Sequence, residues 1–565
     1  MIETTAAPTA VQSRLAFISL LLSAAVSVAA YGFLHARNNT HASFLYILLV
    51  HALVLPFFLI YWRANRSPNQ APLRLPRYQT FAAAAFVLLA VAGMITRHAH
   101  FISDEYAYGF QARIFADGRL KALPMPGAQQ DPSQTPVQID FSQTIQTPQG
   151  WFSKYPPLWP SILAAGYVLH CPWLVNPVFG ALQLLLIWHL AQPWGRNTQM
   201  LAMLMAATSP YLLSLDFGLL SHAFDAVFSL LALAAVLKGV REKKLRWIAV
   251  CLLMFVASTE IRPYTGAVLG LLCAGIVGWE FRSSPKLLTR ALLIFAAGAA
   301  LALTLFLLVN KVFTGDPFLS PYALANGGRK IQELTFNPLK ILGNLLHTWR
   351  WTITDTIRVA FPFTFPLVIY ACLKENVRRN ELLYLSLLFP LLILAYLLNS
   401  MGSSGNIAGE RFYFEGFCAI LIVGARGFDL LLSNWGVSRS SALTGLSILA
   451  AMQIAMIAFT AEDVAAAMRP YGAAYQLAHR SPPVPLVFLE DHTPLLTSKH
   501  VNWNAADWPH APTVFLSDPG PYLRDEVACQ FGRPRYELIQ YDSLNDSLVA
   551  SDGSAECPAR GVSLR

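Results

Sequence analysis

The segment QTFAAAAFVLLAVAGMIT, residues 79–96, is an unbroken apolar run, and SDEYAYGFQARIFADGRL follows it at residues 103–120. A helix needs about 20 apolar residues to span the hydrocarbon core of a bilayer. The run therefore predicts a transmembrane helix. The adjacent carboxylates Asp104 and Glu105 then lie where that helix leaves the membrane.

Similar apolar runs recur along most of the chain. Of its 565 residues, 55% are hydrophobic and 13% are charged, and the mean hydropathy is +0.45, which excludes an ordinary soluble protein. The runs lack the two-residue alternation of a membrane β-barrel. We predict an all-α polytopic membrane protein with about 13 transmembrane helices, at residues 15–34, 43–62, 79–96, 174–192, 199–214, 221–238, 246–261, 264–280, 291–310, 357–373, 381–399, 413–432 and 441–460.

The basic residues predict the orientation of these helices. Residues 63–77, 238–246, 281–290 and 374–379 are rich in Lys and Arg and fall on one side once every span is crossed. Cytoplasmic loops carry this excess of positive charge. We therefore expect a multi-pass protein of the plasma (inner) membrane with a cytoplasmic N-terminus. The same loops account for the net charge of +9 without a nucleic-acid partner.

The opposite, outer side receives three long segments, residues 97–173, 311–356 and the tail from 461. Apolar stretches in the first two segments predict interfacial helices that cover the outer face of the helix bundle. The tail is more polar, and residues 484–490, 512–518 and 536–542 are typical of short strands. The predicted organisation is an N-terminal pair of transmembrane helices at 1–77, a membrane module at 78–460 and a small extracytoplasmic α/β domain at 461–565.

Two features of the tail have alternative interpretations. Cys529 and Cys557 share this polar region, where they either form a disulfide or remain free thiols. Trp503 and Trp508 belong to the stretch VNWNAADWPH, where they either stack on a sugar or fill the core of the domain.

Adjacent carboxylates at a membrane exit have three interpretations: a solvated charge pair, a cation site, or a base that takes a proton from a reacting hydroxyl. The neighbouring motifs favour the third. Lys154, Arg262 and Arg411 all fall at outer span ends or in the same outer loop. Arg side chains hold phosphate oxygens bidentately, and Lys acts as a point charge. Such a set suits an anionic lipid head group that undergoes reaction.

These motifs resemble those of the GT-C membrane glycosyltransferases, in particular the bacterial branch similar to protein O-mannosyltransferases and the lipid A aminoarabinose transferase. The resemblance covers about residues 79–432. It rests on six motifs in order: Asp104-Glu105, Tyr108 one turn on, KYPPL at 154–158, LLSHAFD at 219–225, TEIRP at 259–263 and GERFYFE at 409–415.

The resemblance implies a transferase that moves a sugar from a polyprenyl-phosphate donor to a glycan, lipid or protein acceptor at the outer face of the membrane. By motif, Asp104 corresponds to the general base, and Glu105 orients it or the acceptor. The implied donor-phosphate ligands are Lys154, Arg262 and Arg411, and the implied cavity-lining residues are Tyr108, Tyr413 and His222.

The chain departs from the family pattern at two positions that bear on metal binding. It has Ser153 where relatives of the aminoarabinose branch place a Glu before the Lys-Pro-Pro, with Tyr155 as an inserted residue. Ser221 and His222 stand where many members have an Asp, with Asp225 one turn below. A monophosphate leaving group can be neutralised by Arg and Lys alone, so no cofactor is required, and a divalent cation is an open alternative.

Two further functions compete with this interpretation. A transporter or flippase of a lipid-linked sugar would also need aromatic and cationic side chains near a head group, with ionisable residues lining a path through the spans. In this sequence the middles of the spans are nearly free of ionisable residues. A ligase that moves a whole glycan from a diphosphate carrier is the second alternative.

Overall fold

The computed structural model describes residues 10–37, 42–65, 77–100, 102–129, 132–325, 337–347, 354–398, 405–406, 409–491, 493 and 495–557. Helices dominate this part of the chain. In order they are α1 (Ala10–His35), α2 (Ala42–Leu49), α3 (Leu55–Arg63), α4 (Tyr78–Thr96), α5 (Ser103–Ala116), α6 (Leu158–Val168), α7 (Val175–Ala191), α8 (Arg196–Ala207), α9 (Pro210–Leu215), α10 (His222–Glu242), α11 (Leu245–Ile261), α12 (Pro263–Glu280), α13 (Pro285–Thr314), α14 (Pro321–Ala325), α15 (Pro338–His347), α16 (Thr354–Val359), α17 (Thr364–Lys374), α18 (Arg379–Leu397), α19 (Phe414–Asn434), α20 (Arg439–Ala478) and α21 (Arg524–Gln530).

Nine of the described helical segments are long and apolar enough to cross a membrane. They are Val11–His35, Ala42–Arg63, Tyr78–Thr96, Pro172–Trp194, His222–Glu242, Pro285–Thr314, Arg379–Leu397, Arg411–Asn434 and Arg439–Ala478. The polytopic helical fold predicted from the sequence is confirmed.

The other four predicted spans also fall on helices, but these are shorter or interrupted. Residues 246–261 and 264–280 correspond to α11 and α12. The span predicted at 199–214 is divided between α8 and α9, because Pro210 begins a new helix. The span predicted at 357–373 is divided between α16 and α17, where Phe363 has a left-handed φ of 68°.

The bundle is organised around α10 and α19. Most residues of their apolar windows are buried inside the protein, whereas most of α13 faces outward. A helix surrounded by protein in this way has its ends fixed by its neighbours on every side. Functional side chains at the outer ends of α10 and α19 are therefore held in a rigid frame.

Several short elements lie at one end of the bundle, here called the outer end because the sequence predicts that it lies outside the cytoplasm. They include helices α5 and α6, the amphipathic α15, a hairpin of β1 (Thr144–Thr147) and β2 (Gly150–Ser153), and a two-residue pair of β3 (Gly405–Asn406) and β4 (Gly409–Glu410). Interfacial helices were expected in residues 97–173 and 311–356; the hairpin was not, because its strands have only four residues each. Residues 326–336 and 348–353 of the second segment lie outside the described part of the chain.

The tail forms the predicted α/β domain. Its sheet has the order β6-β5-β7-β8 and consists of β5 (Leu486–Leu489), β6 (Val514–Ser517), β7 (Arg535–Asp542) and β8 (Ser547–Ser554). Strand β5 pairs in parallel with β6 and β7, and β8 pairs antiparallel with β7. The first three strands coincide with the sequence prediction, and β8 was missed. Cys529 and Cys557 form a disulfide.

This outer domain is continuous with the membrane module. Helix α20 is 40 residues long and passes through residue 460, where the domain was expected to begin. The domain also shares an apolar core with α5 and the hairpin, in which Phe110 and Trp151 pack with Leu486 and Leu516. The outer domain, α5 and the hairpin therefore form one packed unit.

A group of ionic side chains, here called the inner cluster, lies at the opposite end of the bundle. Arg426 is its centre: Nε donates to Glu375 Oε2 at 2.7 Å, and Nη1 donates to Asp429 Oδ2 at 2.9 Å. Thr198 donates a further hydrogen bond of 2.9 Å to Asp429. The backbone N–H of Val377 donates to Glu375 at 2.9 Å. Both carboxylates of the inner cluster are thus hydrogen-bonded from more than one side.

Candidate active site

The first turn of α5 places Asp104 at the outer rim of the bundle. Asp104 Oδ2 lies 3.2 Å from Arg411 Nη2, and the two side chains are only 15% and 11% exposed. The N-terminal end of a helix carries a partial positive charge that favours an ionised carboxylate. Asp104 therefore lies beside a cation at a helix N-terminus, within a largely enclosed setting.

Glu105 lies next in sequence but has a different contact. Its Oε1 accepts a hydrogen bond of 2.8 Å from the backbone N–H of Leu219. A Cβ on Gly218 would approach this oxygen to 2.2 Å, so a larger residue there would displace the Glu105 carboxylate. Glu105 thus fixes the loop that precedes α10, and the orienting role expected from the sequence stays a prediction.

Lys154 follows strand β2 and comes close to the same pair. Its Nζ lies 5.5 Å from the ring centre of Tyr155 and 5.2 Å from that of Tyr322. Burial lowers the pKa of Lys154, while the neighbouring charge of Asp104 raises it and that of Arg411 lowers it. Lys154 is therefore within electrostatic range of both members of the Asp104–Arg411 pair.

Arg262 occupies the break between α11 and α12. Its backbone is extended because Pro263 begins the next helix. Its Nη1 lies 3.3 Å from His222 Nε2, and its Nη2 donates to the Tyr396 hydroxyl at 3.4 Å. Its Nε lies 3.3 Å from Glu415 Oε1. Arg262 also interacts electrostatically with Arg411, so both guanidinium groups belong to one site.

Glu415 is a member of this site that the sequence analysis did not single out. It is fully buried, and its Oε1 lies 3.3 Å from both His222 Nδ1 and Arg262 Nε. It lies within the GERFYFE motif, four residues after Arg411, a spacing that brings side chains onto one helical face. That spacing was the available signal. We call Asp104, Lys154, His222, Arg262, Arg411 and Glu415 the outer cluster.

The two tyrosines predicted to line the cavity, Tyr108 and Tyr413, lie in different environments. Tyr108 stacks on Tyr155 with ring centres 4.4 Å apart, and its hydroxyl lies 3.2 Å from that of Ser221. Burial raises the pKa of Tyr108 to about 12, so it is a neutral hydroxyl at physiological pH. Tyr413 is fully buried, with Phe389 and Tyr396 each 6.0 Å away between ring centres. Tyr413 is thus packed in the core beneath the outer cluster.

The outer domain also reaches the outer cluster. Burial lowers the pKa of His500, and the charges of Asp104 and Asp491 raise it. His500 is therefore within electrostatic range of Asp104. No sequence pattern indicates this proximity, because about 400 residues separate the two side chains along the chain and only the packing of the domain brings them together.

Within the described residues, no group of three His, Cys, Asp or Glu side chains is arranged to hold a metal ion. His222 is engaged by Glu415 and Arg262, and Asp225, one turn further along α10, is buried beside Ser258. The divalent cation that the sequence leaves open as an alternative stays a prediction.

Comparisons with known proteins add information about the fold. No protein-family profile matches the sequence, and no curated protein matches it either. The structure is similar to ArnT from Cupriavidus metallidurans in the apo state, with a TM-score of 0.52 and 14% identity over 82% of this chain and 93% of that one. The chain has the fold of ArnT. The predicted GT-C-like fold is therefore confirmed.

Two other solved structures are also similar. ArnT from the same organism bound to undecaprenyl phosphate gives a TM-score of 0.48, with 14% identity and the same coverage of 82% and 93%. Arabinosyltransferase EmbB from Mycobacterium smegmatis gives 0.34, with 16% identity over 77% of this chain and 45% of that one.

Proposed function

We propose that this protein is a glycosyltransferase that moves a sugar from a polyprenyl-phosphate donor to an acceptor at the outer face of the plasma membrane. The observation that carries the proposal is the outer cluster, where the Asp104 carboxylate lies 3.2 Å from Arg411 and within electrostatic range of Lys154. The GT-C fold supports the same conclusion. The sugar and the acceptor are left open among the glycan, lipid and protein classes.

In the proposed reaction the acceptor oxygen attacks the anomeric carbon as the bond from that carbon to the phosphate oxygen breaks. Asp104 takes the acceptor hydroxyl proton, and the departing electron pair stays on the polyprenyl phosphate. Arg411, Arg262 and Lys154 stabilise the negative charge that develops there. Attack in line with the leaving group inverts the anomeric configuration.

The Asp104–Arg411 ion pair has a defined place in this scheme. In the absence of substrates each group neutralises the other across 3.2 Å. A bound donor phosphate would attract the Arg411 guanidinium and leave Asp104 with fewer charge partners. Donor binding would therefore leave the Asp104 carboxylate free to contact the acceptor hydroxyl.

Two observations support an outer location of this chemistry. The outer domain contains the Cys529–Cys557 disulfide, and disulfides persist outside the reducing cytosol. His500 of the same domain lies within electrostatic range of Asp104, so the cluster and the disulfide share one side of the membrane. The basic loops lie at the opposite ends of the helices.

The test is product formation by the purified protein in lipid nanodiscs. Supplied with a radiolabelled polyprenyl-phosphate sugar and a cell-envelope extract as acceptor, the protein should release unlabelled polyprenyl phosphate and label a new product of inverted anomeric configuration. A flippase would return the donor chemically unchanged. Intact donor after long incubation with every acceptor class, from protein shown to bind the donor, would reject the proposal.

A further inference from the structure

A second polar cavity lies on the face of α5 that points away from Asp104. Its volume is about 330 Å³. Tyr106, Gly109 and Arg113 of α5 line it, whereas Asp104 and Tyr108 lie on the opposite side of the same helix. The cavity is therefore separate from the outer cluster, although both share α5 as a wall.

The lining of this cavity carries a positive charge that comes from two arginines. Among the described residues it contains no Asp or Glu, and it contains two arginines and four histidines: Arg97, Arg113, His98, His100, His170 and His479. No carboxylate among the described residues forms an ion pair with Arg97 or Arg113. The positive charge of the cavity is thus not neutralised by its own walls, which favours an anionic ligand.

Arg113 is already oriented. Its Nη2 donates to the backbone carbonyls of Asn502 at 2.8 Å and Asn504 at 3.4 Å, and its Nη1 lies 3.5 Å from the Tyr167 hydroxyl. Neutral oxygens fix the guanidinium group without cancelling its charge. Its Nε is buried and has no hydrogen-bond partner among the described residues. A guanidinium held in this way is suited to phosphate oxygens.

The opposite wall of the cavity is a stack of rings. Tyr475 lies between His98, with ring centres 4.2 Å apart, and His479, at 3.8 Å. Trp503 meets the edge of Tyr475 at 5.3 Å. Burial lowers the pKa of His98 and His479, so both rings are neutral near pH 7. The N–H at His479 Nδ1 donates to the Tyr475 backbone carbonyl at 3.0 Å, so the N–H of His98 is the one that can face a ligand.

An apolar cleft of about 230 Å³ is lined by α4, α9 and α20, and two of these helices, α4 and α20, lead towards the cavity. Leu88 and Ile95 of α4 line the cleft, and Arg97, directly after α4, lines the cavity. Helix α20 contributes Ile457 to the cleft and Tyr475 to the cavity. The cleft lies along the apolar part of these helices and the cavity at their outer ends. In a bilayer the acyl chains lie in the core and the phosphate groups lie at the surface. The cleft therefore matches the position of the chains, and the cavity matches that of the phosphates.

We propose that this cavity is a second phosphate-binding site, which holds the head group of an anionic membrane lipid whose chain enters the cleft. Arg113 and Arg97 would bind the phosphate oxygens, and the ring stack would cover the rest of the head group. Trp503, one of the two tryptophans with an open interpretation, lines this cavity, whereas Trp508 is packed in the domain core with Nε1 donating to the Pro124 carbonyl. The site does not depend on the proposed transferase activity.

The test counts lipids that stay bound to the full-length protein. The purified, delipidated protein is mixed with phosphatidylglycerol and, separately, with zwitterionic phosphatidylcholine, and native mass spectrometry records the bound molecules. We expect one phosphatidylglycerol to be retained in preference to phosphatidylcholine. Arg97→Gln and Arg113→Gln should each weaken this binding about tenfold. Arg97 is exposed and forms no ion pair among the described residues, so Arg97→Gln should fold even if Arg113→Gln does not.

Two matched variants serve as controls. Lys154→Gln removes a cation from the outer cluster, and Arg290→Gln removes a basic residue at the opposite end of the bundle; both should keep wild-type lipid retention. Equal retention by wild type, Arg97→Gln and Lys154→Gln would overturn the proposal. Displacement of the lipid by an equal concentration of inorganic phosphate would overturn the assignment to a lipid and identify free phosphate as the ligand.

Discussion

The inner and outer clusters are both groups of carboxylates and arginines buried at an end of the same helix bundle, yet their hydrogen bonding differs. In the inner cluster Arg426 reaches its two carboxylates at 2.7 and 2.9 Å, and both carboxylates accept further hydrogen bonds. In the outer cluster the ionic contacts are 3.2–3.3 Å long. Glu415 Oε2 and Arg262 Nε are buried there without a hydrogen-bond partner among the described residues.

The difference separates a structural cluster from one that is prepared for a ligand. Buried polar atoms are almost always hydrogen-bonded, because an unsatisfied one costs about 1–3 kcal/mol. The inner cluster follows this rule and needs nothing more to stabilise the fold. The outer cluster retains hydrogen-bonding capacity that a substrate could use. Substitutions in the two clusters should therefore have different consequences.

The largest expected effect is that of Asp104→Asn. An amide cannot accept the acceptor proton, so the rate of transfer should fall by about 10² to 10⁴. The thermal unfolding temperature should change little, because Asn retains the shape of Asp. Asp117→Asn, at the exposed C-terminal end of the same helix, is the matched control and should retain full activity. A fully active Asp104→Asn enzyme would remove Asp104 from the proposed mechanism.

The next effect concerns stability alone. Arg426→Gln leaves two buried carboxylates without their cation, which should destabilise the fold by about 3 kcal/mol. Thermal unfolding in detergent measures this loss, and the KM for the donor should be unchanged in the folded fraction. Arg241→Gln breaks an ion pair with Glu381 in which Arg241 is 44% exposed, and it should cost less than about 1 kcal/mol. Similar losses of stability in Arg426→Gln and Arg241→Gln would contradict the interpretation of the inner cluster as a structural one.

Arg262→Lys should have a smaller and mainly kinetic effect. Lysine keeps the charge but loses the planar fork that contacts Glu415, His222 and Tyr396. We expect the donor KM to rise about tenfold, with little change in unfolding temperature. Arg246→Lys, on the exposed surface of α11, is the control. A loss of stability comparable to that of Arg426→Gln would show that the outer cluster is structural as well.

The smallest expected effect is on the pH dependence of transfer. Burial lowers the pKa of Lys154 below its usual value. The charged ammonium that holds phosphate is then lost as pH rises through that lowered pKa, and activity should decline in alkaline solution. Lys154→Arg stays charged throughout this range, so its alkaline decline should move to higher pH. Superimposable pH profiles of the two enzymes would exclude a role for the Lys154 charge.

The sequence predicted the fold and the order of the motifs because these depend on local patterns. Apolar runs of about 20 residues identify helices without knowledge of their neighbours. The contributions of Glu415 and His500 could not be predicted in this way. In the sequence, Glu415 looks like an ordinary charged residue at the start of a helix. Its contacts with Arg262 and His222 depend on how α10, α11 and α19 pack.

Glu105 illustrates another limit of sequence patterns. Adjacent acids suggest a shared role, but successive residues on a helix point about 100° apart. Asp104 therefore faces Arg411, while Glu105 faces the loop at Gly218 and Leu219. Only the three-dimensional arrangement separates the two.

The length of α20 sets the height at which the outer domain stands. Its 40 residues extend about 60 Å, of which about half lies beyond the hydrocarbon region. The helix holds the domain above the bilayer surface. Removing one turn would bring the domain about 5 Å closer to the bilayer. This would change the space available to a molecule that projects from the lipid surface and approaches Asp104.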